Sequence, residues 1–315
     1  ADVDYFEIVA VADETDIEDE LRTANRDWAA RLNVPYLEGV DRGLEDDRVD
    51  IVSIGHEIER RADLAQRAAA AGKALWIDKF IGATVAECEA VVAAVDRAGV
   101  CSIVPSFTYG ELVRQSQSIL DADVLGALLG VHADGLFSKG WPRPIDAESI
   151  PTFLPPGRWK FPDIKRELLC VGAYGVGLIQ NCLGPIKQVF GRAGAHFFPE
   201  HANRGADDMG TLTLIDDSGR IATVSGGRIG VASHPQGGPS RAFLVGSSGT
   251  AVVDGKGPNL SCYLREEIVG ADYSIPPDDP MMWHSRAPIP TATAAADSVG
   301  FAAALEDLLG AMDDN

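Results

Sequence analysis

The first 105 residues alternate short apolar runs with longer amphipathic segments, and this alternation constrains the fold more than any other feature. Phe6 to Ala12 (FEIVAVA), Val49 to Ile54 (VDIVSI), Ala74 to Ile77 (ALWI) and Cys101 to Pro105 are nearly uninterrupted apolar stretches. Such runs suit parallel strands buried on both faces. The intervening segments 16–31, 59–71 and 84–98 carry apolar positions at helical spacing. Gly72 and Gly99 follow the second and third of them, where a helix commonly ends on a left-handed residue. The order strand, helix, strand, helix, strand, helix, strand predicts a parallel sheet with right-handed crossovers.

Beyond residue 103 the rhythm changes. A helix at 109–121 and a strand near 128–134 lead into a long stretch, 139–163, rich in Pro and Trp. Loops of that length are often functional. A helix at 172–183 follows, then strands at 187–196, 209–216, 220–227, 241–246 and 250–254. Turn signals such as Asp217-Ser218-Gly219 join them, which predicts an antiparallel sheet. A closing amphipathic helix spans 298–312. The expected fold is α/β: a Rossmann-like parallel-sheet domain over 1–103, incomplete at its N-terminus, then an α+β domain over 104–315 with a large, mostly antiparallel open sheet.

Charge excludes one class of partner. Forty-seven acidic residues against 27 basic ones give a net charge of −20, and a surface that negative repels nucleic-acid phosphates. The same bias fits a high-salt habitat, where abundant carboxylates keep a surface hydrated. Five scattered cysteines without a C-x-x-C spacing fit reduced thiols in the cytoplasm, and neither a disulfide framework nor a zinc site. No stretch has the apolar length of a membrane span, and no secretory signal pattern opens the chain.

Five places carry candidate chemistry. Asp13 stands at the tip of the first strand, where an acid can bind both hydroxyls of an adenosine ribose and repel a 2′-phosphate. Its alternative role is to cap the next helix. The glycine loop G-x-G-x-x-G that ordinarily precedes such an acid by about 20 residues has no room before it. Gly55 and His56 occupy the loop after the second strand. Asp78 and Lys79 end the third strand, in the crevice where ligands of parallel sheets bind. Lys79 is one of only seven lysines, and a Lys there can bind a substrate hydroxyl or help move a proton. Tyr174 opens a helix among glycines, and a phenol beside a Lys can act as general acid/base; a core Tyr is the plainer reading. Trp159 and Lys160 lie in the long loop, where Trp can stack on a planar ring and Lys can donate to a ligand.

In this order, the pieces FEIVAVAD (6–13), VDIVSIGHEIE (49–59), AAAAGKALWIDKF (68–80), GRWKF (157–161), GAYGVGLIQNCLG (172–184) and FLVGSSGTAVV (243–253) resemble the glucose–fructose oxidoreductase, inositol dehydrogenase and rhizopine-catabolism family, Gfo/Idh/MocA. The resemblance implies an NAD(P)-dependent oxidoreductase with a Rossmann domain and a C-terminal open sheet that carries substrate and subunit contacts. Asp78-Lys79-Phe80 looks like the family's E-K-P motif, with Lys79 catalytic and Phe in place of Pro. Cys170-x-Gly172-x-Tyr174-x-x-Gly177 looks like its D-x-G-x-H-x-x-D helix. Tyr stands at the acid/base position, as in the dihydrodiol-dehydrogenase-like branch, and both acids are replaced. Ile54-Gly55-His56-Glu57 looks like the start of the A-T-P-x-x-x-H loop, with Arg61 at the His position. Trp159-Lys160 resembles the Trp-Arg pair of the Tyr branch.

The resemblance thus implies NAD rather than NADP, cofactor contacts at Asp13, Gly55, His56, Asp78, Lys79 and Trp159, and substrate contacts at Lys79, Lys160 and Tyr174. It further implies a sugar or polyol substrate and a homodimer or homotetramer built through the C-terminal sheet; the scattered Cys and His residues point to no metal site. The family has a first strand, glycine loop and helix of about 30 residues ahead of FEIVAVAD, so either truncation of a longer parent or natural loss of the unit is expected, and the apolar edges that loss would expose favour truncation. A non-catalytic binding or regulatory protein and an NAD-dependent glycosidase are the alternatives on the same scaffold.

Overall fold

A computed structural model of the chain describes residues 6–105, 110–138, 165–230, 240–255, 259–264, 272–274, 284–286 and 307–312. Two compact units divide the chain, residues 1–106 with 299–315 and residues 107–298.

The first unit is built in βα order: β1 (Val11–Asp13), α1 (Asp19–Leu32), β2 (Tyr36–Glu38), α2 (Asp41–Leu44), β3 (Ile51–Ile54), α3 (Ile58–Ala70), β4 (Ala74–Ile77), α4 (Val85–Ala98) and β5 (Ser102–Ile103). All pairings are parallel, in two ladders, β1–β2 and β3–β4–β5. Two expectations are corrected. The first apolar run forms a strand only over Val11–Asp13, because its partner β2 offers three residues, and Phe6 and Ile8 lie exposed outside the ladder. The parallel strands also form two sheets rather than one, since no backbone pairing joins β1 to β3.

The helices end as the sequence dictates. Thr84 and Glu87 close a reciprocal capping box at the start of α4, and Gly99 ends it at φ 65°. Leu75 and Ile77 of β4 pack with Ala62, Ala65, Ala68 and Ala69 of α3, and this core carries the strand tips above it.

The second unit contains α5 (Glu111–Asp121), β6 (Leu128–Phe137), α6 (Ala173–Leu183), β7 (Ile186–Gly194), α7 (Pro199–Arg204), β8 (Met209–Asp216), β9 (Ile221–Arg228), β10 (Ser240–Gly246), β11 (Gly249–Asp254) and β12 (Asn259–Leu264). A single π-turn, Leu168–Gly172, runs directly into α6. The sheet has seven strands in the order β12-β11-β10-β6-β9-β8-β7 and is antiparallel except at β6–β9. A separate antiparallel pair comprises β13 (Asp272–Ser274) and β14 (His284–Arg286).

Alternation decides which face is covered. Val131 and Ala133, Ala222 and Val224, Ala242 and Leu244, and Ala251 and Val253 all point inward, against Leu178 and Ile179 of α6 and Val113 and Ile119 of α5. Each fully buried Leu or Val contributes about 1.5–3 kcal/mol. The opposite face exposes Ile221 and Phe243. The predicted closing helix is described only over 307–312; its beginning, like residue 109 of the helix placed at 109–121, lies outside the described residues.

Candidate active site

The carboxyl ends of β1, β3 and β4 bring together five of the residues singled out above. Asp13, 6% exposed, is the last residue of β1. Its Oδ2 accepts hydrogen bonds from Asn25 Nδ2 at 2.9 Å and from the Tyr36 hydroxyl at 3.0 Å. Asp13 therefore does not cap α1, whose N-cap is Glu18. Burial, then the bond to Asp13, raises the Tyr36 phenol above its ordinary value. His56 Nε2 lies 3.8 Å from Asp13 Oδ1, too far for a hydrogen bond, and is buried with no hydrogen-bond partner among the described residues. Burial pushes the His56 imidazole below its ordinary range, with the Asp13 and Glu14 carboxylates pulling the other way. Gly55, just before it, faces open space.

Arg61 links this corner to Lys79. It stands in the first turn of α3, 5% exposed. Its Nε donates to the His56 carbonyl, its Nη1 to the carbonyls of Lys79 and Phe80, and its Nη2 to Asp78 Oδ2 at 3.0 Å. The cation is buried against acceptors from two strand-end loops at once. Burial lowers its pKa and the Asp78 carboxylate opposes that shift. Lys79 Nζ lies 5.2 Å from the centroid of the Phe80 ring, a cation–π distance.

Sequence reasoning aligned Arg61 with a family position but gave it no role. The available signal was its place in the stripe Ile58, Arg61, Ala65, Ala68, where a charged residue interrupts an otherwise apolar helix face.

In the second unit, Tyr174 is the second residue of α6 and is partly exposed. The π-turn before it is a local irregularity of a kind frequent at functional sites. Asp207 holds that turn, its Oδ2 accepting from Leu168 N at 2.7 Å and its carbonyl from Glu167 N at 3.0 Å. Burial raises the Asp207 carboxyl above its ordinary value. The glycines around Tyr174 let backbone approach sheet: a Cβ on Gly175 would stand 2.8 Å from Val224 Cγ1, and one on Gly226 would stand 2.7 Å from Gly172 Cα. Asp208, fully buried, accepts the N–H groups of His196, Phe197 and Phe198 at 2.7–2.8 Å and fixes the loop before α7.

Trp159 and Lys160 lie outside the described residues. Among the described residues, no cluster of three or more His, Cys, Asp or Glu side chains is arranged to hold a metal ion, and no helix is long and apolar enough to cross a membrane.

Comparison with known proteins adds to this geometry. Residues 3–106 match the model of an oxidoreductase family with an NAD-binding Rossmann fold, GFO_IDH_MocA. Among solved structures, UDP-N-acetylglucosamine 3-dehydrogenase GnnA from Acidithiobacillus ferrooxidans is similar at a TM-score of 0.66 and 20% identity, over 98% of this chain and 81% of that one. The aldose-aldose oxidoreductase from Caulobacter crescentus, complexed with glycerol, is similar at 0.66 and 18% identity, over 97% and 81%. Levoglucosan dehydrogenase, complexed with NADH and levoglucosan, is similar at 0.66 and 15% identity, over 95% and 78%. At these identities the likeness is one of fold. No curated protein matches the chain in sequence.

Proposed function

Because residues 3–106 match the model of the GFO_IDH_MocA oxidoreductase family, NAD-binding Rossmann fold, we propose that the protein is an NAD-dependent oxidoreductase acting on a sugar, polyol or related hydroxyl or carbonyl compound. The observation that carries this reading is the convergence of Asp13, His56, Asp78 and Lys79 at the carboxyl ends of parallel strands, where ligands of such sheets bind. The cofactor contacts Asp13, Gly55, His56 and Asp78, and Lys79 with them, belong to the first unit.

The residues present fit a dinucleotide. Asp13 offers a buried carboxylate at a strand tip, and His56 Nε2 beside it lacks a partner that a ribose hydroxyl would provide. Gly55 leaves room for close approach. Trp159 is assigned to stacking on a ring, and Lys160 to a substrate oxygen. When bound, the nicotinamide supplies the hydride acceptor or donor. Lys79 donates a hydrogen bond to the reacting oxygen. Tyr174 takes the hydroxyl proton in oxidation and returns it in reduction.

Two features support NAD over NADP. Asp13 repels a 2′-phosphate, and the nearby arginines have protein partners: Arg60 pairs with Asp16, Arg26 with Glu38, Arg67 with Glu14 and Asp41, and Arg22 donates to the Thr15 and Ile17 carbonyls. The open sheet face, with Ile221 and Phe243 exposed, supports a homodimer or homotetramer. The dispersed cysteines, without a C-x-x-C spacing, support a cytoplasmic enzyme.

Fluorescence titration with NADH, then turnover of NAD+ with levoglucosan, myo-inositol and UDP-N-acetylglucosamine as probes, tests the reading. Lys79→Ala and Tyr174→Phe are each expected to lower kcat by about 10²–10⁴-fold. Absence of NAD(H) and NADP(H) binding would overturn it. The alternative of a non-catalytic binding protein draws on one observation: Asp13 Oδ2 is already engaged by Asn25 and Tyr36. It predicts unchanged biological output in Lys79→Ala. A glycosidase would instead release a sugar from a glycoside without net NAD+ consumption.

A further inference from the structure

We propose that Arg61 is the positioning residue for Lys79, a strap that fixes where the lysine leaves the backbone; the inference rests on the reading of Lys79 as a proton-transfer residue. Arg61 is not a surface cation that happens to reach an acid. Its side chain is 6% exposed, and its guanidinium spreads its donors over the His56, Lys79 and Phe80 carbonyls and the Asp78 carboxylate. The Asp78 carbonyl lies at the edge of the same fork, 3.3 Å from Nη1.

These acceptors come from the loops after β3 and β4, adjacent strands in parallel register with Ile54 opposite Ile77. Where the ladder ends, the backbone carbonyls beyond it need other donors. Arg61 supplies them to three consecutive residues, Asp78, Lys79 and Phe80. The base of the Lys79 side chain is therefore held from α3 rather than left to a free loop.

The choice of residue follows from the acceptor pattern. A planar fork with five N–H groups can address acceptors on two loops, whereas a lysine ammonium is a compact point charge. The Asp78 carboxylate meets the one charged requirement of the buried cation. Without the fork, the 78–80 carbonyls lose their common donor and Lys79 is free to sample other positions.

Lysine labelling of the full chain by a limiting amine-acylating reagent, quantified per peptide by mass spectrometry, tests this independently of turnover. Arg61→Gln is expected to change the labelling rate of Lys79 several-fold while Lys73, whose Nζ donates to the Asp46 carbonyl in the same unit, keeps its rate. An unchanged Lys79 rate would overturn the proposal, and so would an equal rise at all lysines, the mark of a general loosening. Arg61→Lys keeps the buried charge but not the fork and is expected to give the same selective change; it carries the test if the glutamine variant fails to fold. Turnover then separates the two levels of argument. If Lys79→Ala leaves kcat intact, the assignment of Lys79 fails while the strap stands or falls by its labelling alone. If Lys79→Ala is inactive, Arg61→Gln should lower kcat in the unmodified background and have no further effect beside Lys79→Ala.

Discussion

Gly226→Ala puts the link between packing and catalysis to its hardest test. A methyl at Gly226 would stand 2.7 Å from Gly172 Cα and 2.8 Å from Gly172 N. Carbon atoms in contact ordinarily sit about 3.5–4.0 Å apart, so one backbone must retreat by about 1 Å. β9 is paired on both sides, to β6 and to β8, so the π-turn is the part that moves. Tyr174 follows Gly172 by two residues and moves with it. Overpacking of this kind costs about 1–3 kcal/mol, which lowers the Tm of a unit this size by about 2–4 °C for each kcal/mol. A 1 Å misplacement of a proton-transfer group can cost about 10²-fold in rate. The assay is kcat for NAD+ reduction beside an NADH titration and a thermal melt. The expected result is a lower Tm, kcat reduced by about 10²-fold, and unchanged NADH affinity. A lowered Tm with unchanged kcat would show that Tyr174 takes no part in the chemistry. An unchanged Tm would refute the contact argument itself.

Other expectations are simpler. Thr84→Ala removes the α4 capping box and should cost about 1 kcal/mol in a denaturant melt, without altering NADH affinity. Asp208→Ala removes the acceptor of three N–H groups, that of Phe198 buried, and should cost about 1–3 kcal/mol in a denaturant melt. His56 gives a pH signature. Its folded pKa lies below the ordinary 6.5, so the unfolded chain takes up the proton first, and stability should fall as pH drops from 6.5 toward the folded value. His56→Gln should flatten that part of the pH–stability curve. Burial pushes the Cys182 thiol up to about 12, so in the native protein at pH 8 it should resist iodoacetamide that modifies it after denaturation.

The sequence was most legible where one physical requirement dominated. β4 occupies Ala74–Ile77, the residues of its apolar run, because those residues are covered by α3 and paired on both sides. β8 spans Met209–Asp216 as its alternation implies. Legibility failed where pairing rather than composition decides. The run FEIVAVA is apolar enough for a full strand, yet only Val11–Asp13 finds a partner. That partner, Tyr36–Glu38, is three residues with no run of its own. The π-turn at Leu168–Gly172 precedes the helix expected at 172–183, and LLCVG carries no local signal of a widened turn. At the site, Asp13 and Lys79 could be picked out as charged residues ending apolar strands. The bonds from Asn25 and Tyr36 to Asp13, and the fork of Arg61, depend on side chains brought together from separate elements, and no local pattern encodes them.

The division of the parallel strands into two ladders has a consequence for cohesion. Backbone bonds hold β1 to β2 and β3 to β4 and β5, whereas among the described residues side chains join the first ladder to the second: Arg60 on Asp16, Arg67 on Glu14 and Asp41, and the apolar contacts of Ala12, Val40 and Leu44. Such a seam is where local opening starts, and its ionic part weakens as salt rises. Amide exchange in β1 and β2 should therefore outpace that in β4. A ligand gripping Asp13 and His56 together would act as a clasp across the seam, adding about 2.7 kcal/mol against opening at a hundredfold excess over its Kd.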